Sequence, residues 1–133
     1  MTDQRPHSVI AVVDDDQRIL ESLAILLDSA DYDVRLFSSP TALLESGGLS
    51  EIDCLISDVA MPLMDGFELA GAVHAARPGL PVILVTGRPD LLHRAPLDWP
   101  GLYRVFKKPF DAQELLTAVA LMLRSPRPRA SRS

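Results

Sequence analysis

Five short apolar runs punctuate the chain: SVIAVV (8–13), DVRLFS (33–38), DCLIS (53–57), PVILVT (81–86) and LYRVFK (102–107). Runs of this length read as strands, and one that is apolar throughout, such as the first, reads as a strand covered on both faces. The stretches between them carry a different period. Ile19, Leu20, Leu23, Leu26, Leu27 and Ala30 recur at three- and four-residue steps and predict an amphipathic helix. SPTALLES (39–46) offers a Ser39 cap, Pro40 at the first helical position and a stop at Gly47-Gly48. Phe67, Ala70, Val73 and Ala76 mark a third helix closed by Pro78-Gly79. Leu115, Leu116, Val119 and Leu123 mark a last one over 111–124. Pro89, Pro96 and Pro100 leave room for only a brief fourth helix around 90–95. Strand followed by helix, five times over, restricts the chain to an α/β fold: a parallel sheet with helices on both faces.

Composition agrees with a single domain of this kind. The chain has 133 residues, 47% of them hydrophobic, enough for one core. No apolar stretch approaches the roughly 18 residues that span a bilayer, so no membrane association is expected. The opening MTDQRPHS lacks the layout of a signal peptide, which makes a cytoplasmic address the expectation. Cys54 is the only cysteine and reads as a small buried hydrophobe. The net charge is −5, and three of the arginines (Arg127, Arg129, Arg132) sit in the closing SPRPRASRS. The remainder is therefore more acidic still, a poor surface for direct nucleic-acid binding. Residues 1–7 read as an N-terminal extension, 8–124 as the domain, and 125–133 as a basic disordered tail or linker.

In open parallel sheets, sites form beyond the carboxyl ends of the strands. The first run ends in Asp14-Asp15-Asp16, the third in Asp58, the fourth in Thr86, and the fifth in Lys108 followed by Pro109. A single Asp between strand and helix serves as a cap, but one cap is enough, and the other carboxylates repel each other at the core edge. Asp58 alone reads as a turn residue, Thr86 alone as a satisfied strand end, and Lys108 alone as a solvated lysine. Together on one sheet edge they suit a divalent cation with oxygen ligands, Mg²⁺ above all. With such a cation, Asp58 can attack phosphorus while Thr86 and Lys108 contact the transferred oxygens. No G-x-x-x-x-G-K-[ST] loop is present, and His7, His74 and His93 share no ligand spacing.

The segments VVDDD (12–16), LISDVAMPLMDGFEL (55–69), ILVTG (83–87) and KKPFD (107–111) together resemble the receiver domain of two-component response regulators. That resemblance spans about 8–124 and implies a flavodoxin-like five-stranded sheet in the order 2-1-3-4-5. It also implies Asp58 as phosphoacceptor, Asp15 as direct metal ligand and Asp14 as a ligand through water. Ala60 would contribute its backbone carbonyl, and Thr86 and Lys108 would be the hydroxyl and lysine of the site. A cis Lys108–Pro109 peptide is implied as well. The chain departs from the family in two places. Val105 stands where receivers typically carry an aromatic residue, and Phe106 lies on the opposite phase of the strand. The proline-laden 89–100 replaces what is often a regular helix on the surface used for output or dimerisation.

The expected function is acceptance of a phosphoryl group on Asp58 from a histidine kinase or phosphotransfer protein, with Mg²⁺, by a signalling domain and not a turnover enzyme. A downstream output domain or protein and a weak homodimer complete the expected partners. Val105 and the 89–100 segment motivate an alternative, a receiver fold kept as an interaction module without phosphorylation. A phosphatase with an Asp nucleophile is a third reading, which predicts sustained turnover of a phosphate ester.

Overall fold

The computed structural model describes residues 7–88, 90–91 and 103–124. In chain order these form β1 (Val9–Val13), α1 (Gln17–Ser29), β2 (Asp33–Phe37), α2 (Pro40–Ser46), a 3₁₀ turn (Gly48–Glu51), β3 (Cys54–Asp58), α3 (Gly66–Ala76), β4 (Val82–Thr86), β5 (Tyr103–Lys107) and α4 (Ala112–Arg124). The five strands pair in parallel in the order β2-β1-β3-β4-β5. The fold class and strand order match the expectation. Most of the expected 90–95 helix, and the terminal segments 1–6 and 125–133, lie outside the described residues.

Alternation along the central strands divides the core in two. Val9, Ala11, Val13, Leu55, Val82 and Leu84 point to the layer of α2 and α3, meeting Leu43, Leu69 and Val73. Ile10, Val12, Ile56, Ile83 and Val85 point the other way, to Leu20, Leu23 and Leu27 of α1 and Leu115 and Val119 of α4. β1, β3 and β4 are buried at every position, which is why they read as unbroken apolar runs. β2 lies at an edge and exposes Asp33, Arg35 and Leu36.

Local chemistry sets the helix boundaries. Asp16 caps α1 by accepting the Arg18 N–H at 2.9 Å. Ser39 caps α2 through the Ala42 N–H, with Pro40 at its first position. Gly47 ends α2 at φ +76°, where a side chain would be strained. α3 opens with a reciprocal box: Asp65 accepts from Glu68 N–H at 2.8 Å, and Glu68 accepts from Asp65 N–H at 2.9 Å.

Candidate functional site

Strand register brings the strand-end residues to one crevice. Val13 pairs with Ser57, so Asp14 stands level with Asp58 across the β1–β3 boundary. Asp58 pairs with Val85, and Thr86 with Lys107. Lys108 itself falls one residue beyond β5, because Pro109 has no N–H to extend the ladder. Its own N–H still donates to the Thr86 carbonyl at 2.7 Å, and the Lys108–Pro109 peptide is cis.

The side chains there form a tight ionic group. Lys108 Nζ lies 3.2 Å from Asp14 Oδ2 and 3.3 Å from Asp58 Oδ1. Asp14 is 1% exposed and Asp58 6%, whereas Asp15 opens to solvent. The other oxygen of Asp14 accepts the Asp16 N–H at 2.8 Å, which turns the chain from β1 into α1. Carboxylate oxygens of Asp14, Asp15 and Asp58 all lie within 4.8 Å of one another. One ammonium thus serves two buried carboxylates, with a third close by.

Burial lifts the Asp14 carboxyl above the ordinary carboxylate range, against the Asp16 N–H and Lys108. Burial and then the charge of Asp14 do the same to Asp58, with Lys108 opposing. Burial works to lower Lys108, yet Asp14 and Asp58 outweigh it and leave the ammonium favoured. The group carries more negative charge than its one lysine balances. Its donors are all oxygens, and one carboxylate faces water. That set fits a hard divalent cation that retains part of its hydration shell.

The model of the response regulator receiver domain matches residues 10–120 of this sequence. The chain belongs to the response regulator receiver domain family. These are the receiver domains of two-component systems. The receiver is 36% identical over 124 residues to the response regulator protein TmoT of Ectopseudomonas mendocina, covering 93% of this chain and 56% of TmoT. It is 35% identical over 122 residues to the transcriptional regulatory protein FixJ of Bradyrhizobium diazoefficiens, covering 91% of this chain and 59% of FixJ. The receiver therefore spans less than two thirds of these curated relatives. Among solved structures it superimposes with a TM-score of 0.80 on the signal receiver domain of an HD domain-containing protein from Pseudomonas fluorescens Pf-5. The two are 35% identical, over 88% of this chain and 94% of that one.

Within the receiver, the structure brings Asp14, Asp15, Asp58 and Lys108 together as a cluster. Thr86 is fully buried at the end of β4, and its Oγ1 accepts the Arg88 N–H at 2.8 Å. Ala60 follows β3 by two residues and lines an open cavity of about 400 Å³ with Met61, Leu63 and Leu91. Asp16 stands apart from the cluster as a helix cap. Val105 packs against the α2–α3 layer and Phe106 against the α1–α4 layer, so the two do not exchange roles.

Gly66 is a site residue that sequence reasoning passed over. Its N–H donates to Val59 O at 2.8 Å, and a Cβ there would lie 2.4 Å from the Asp58 carbonyl oxygen. Only glycine lets α3 start this close to the end of β3. Asp65-Gly66-Phe67-Glu68 carried the signal, since Asp and Glu three residues apart announce a capping box.

Proposed function

We propose that Asp58 accepts a phosphoryl group from a histidine kinase or phosphotransfer protein. The observation that carries this is the shared Lys108 ammonium between Asp14 and Asp58, at the end of β3 and beside the buried Thr86. One Asp58 carboxylate oxygen attacks phosphorus as the donor's P–N bond breaks, and the leaving imidazole keeps the electron pair and takes up a proton. Lys108 lies in reach of the phosphoryl oxygens and balances their charge. Thr86 Oγ1 accepts from Arg88 and still has its own hydrogen to donate. Mg²⁺ would be held by Asp15, Asp58 and the Ala60 carbonyl, with Asp14 through water. When bound, the cation neutralises the carboxylates and the transferred oxygens. The domain acts on itself and does not turn over substrate.

On this reading residues 8–124 form the receiver, preceded by an extension at 1–7 and followed by a basic tail or linker at 125–133. An output domain or protein would take the signal, in a cytoplasmic setting. FixJ is named as a transcriptional regulatory protein, which fits a receiver that commands a separate output.

Acetyl phosphate with MgCl₂ is expected to give a singly phosphorylated chain by intact mass, and none with Asp58→Asn. An unmodified wild type, or a modified Asp58→Asn chain, defeats the proposal. A second reading is favoured by Val105: a receiver that docks partners without phosphorylation. That reading requires no response to Mg²⁺, whereas the acceptor site predicts one that Asp15→Asn weakens.

A further inference from the structure

Arg88 follows the end of β4 by two residues, and its backbone is fastened to the site on two sides. Its N–H donates to Thr86 Oγ1, and the intervening Gly87 runs along the stem of Lys108. A Cβ on Gly87 would lie 3.9 Å from Lys108 Cδ and 4.0 Å from Lys108 Cβ. Asp58 lies one strand over, paired in register with Val85. Neighbouring strands are about 4.8 Å apart, a gap that an extended arginine side chain crosses.

The guanidinium is instead turned to Asp90. Nε lies 3.1 Å from Asp90 Oδ1 and Nη2 3.0 Å from Oδ2, a two-bond fork in the open. An exposed pair of this kind contributes little to stability and exchanges readily. The same fork fits two oxygens of a phosphoryl group, whose charge approaches −2 and draws arginine more strongly than a carboxylate does.

We propose that Arg88 is a further phosphoryl-binding residue, parked on Asp90 in the resting domain and transferred to the phosphoryl oxygens once Asp58 carries them. The inference rests on Asp58 being the acceptor. It also supplies a read-out that needs no aromatic residue at 105. Leu91 N–H donates to the Arg88 carbonyl at 2.9 Å, and Leu91 packs against the α2–α3 layer beside the cavity at Met61. A backbone shift of Arg88 that accompanied the transfer would reach Leu91 through that hydrogen bond.

The full chain is phosphorylated with acetyl phosphate and MgCl₂, the donor is removed, and loss of the phosphoryl group is followed by mass. Arg88→Gln is expected to shorten its lifetime severalfold and Arg88→Lys to do so less. Asp90→Asn is expected to lengthen it, because the fork is released. Combined with Arg88→Gln, Asp90→Asn should no longer lengthen the lifetime, because the fork it would release is gone. In NMR spectra the Arg88 Nε–H resonance should shift on phosphorylation of the wild type and stay in place in Asp58→Asn. Equal lifetimes across the set, or an Asp90→Asn chain that still lengthens the lifetime when Arg88 is Gln, overturn the inference while leaving Asp58 as acceptor. A wild type that takes no phosphoryl group overturns both.

Discussion

As the proposed acceptor, Asp58 has a conflict built into its position: it is buried, yet it would have to be ionised to react. Burial and Asp14 raise its pKa, so the folded domain binds its proton more tightly than the unfolded chain does. Unfolding then releases protons, and this carboxyl's contribution to stability falls as pH rises from the ordinary carboxylate value through the raised one. Without metal, Asp58→Asn should therefore be more stable than wild type at pH 7, by on the order of 1 kcal/mol. The gap should narrow as the pH falls toward about 4, because the raised pKa increasingly favours the protonated carboxyl there. Urea unfolding in EDTA at the two pH values measures this. An Asp58→Asn chain less stable than wild type at pH 7 would mean that the Lys108 pairing outweighs burial. The sequence placed Asp14, Asp15, Asp58, Thr86 and Lys108 on one edge, and the family resemblance implied a role for each, but the burial of each was not legible. Burial of Asp14 and exposure of Asp15 depend on how the chain leaves β1, where the Asp16 N–H binds Asp14. Three identical letters carry no record of that turn.

At the scale of elements, α3 starts directly against the end of β3, where the proposed acceptor sits. Gly66→Ala puts a methyl group 2.4 Å from the Asp58 carbonyl, so the helix start must retreat from β3. A loss of about 2–4 kcal/mol is expected by thermal or urea unfolding, together with slower phosphorylation by acetyl phosphate. A Gly66→Ala domain of wild-type stability would show that the contact yields freely. Strands and helices were legible because each has a strong local signal: apolar runs at β1, β3 and β4, three- and four-residue steps in α1 and α4, Ser39-Pro40 at α2. Close approaches are not local. Gly66 looks like any helix-entry glycine until β3 lies beneath it. Arg88 and Asp90 look like any two charges two residues apart until the fold joins them in a fork just past β4. The expected short helix after β4 falls largely outside the described residues.

For the whole molecule, the surplus of carboxylates at the site predicts a stability that responds to divalent cations. A ligand that binds only the folded state adds about 2.7 kcal/mol at a hundred times its dissociation constant. Millimolar MgCl₂ should raise the melting temperature of the wild type by several degrees, and by much less in Asp15→Asn. Calorimetry or a dye-based melt reads the difference. Equal shifts in the two proteins would move the cation away from this cluster.

The sheet also acts as a partition. Adjacent residues of β4, Ile83 and Leu84, belong to opposite layers, and so do Val105 and Phe106 of β5. Two semi-independent interiors thus share a single wall. The α1–α4 side can be redrawn while the α2–α3 side, which packs Met61 and Leu91, keeps its shape. A small domain gains two separately adjustable faces from one reactive edge.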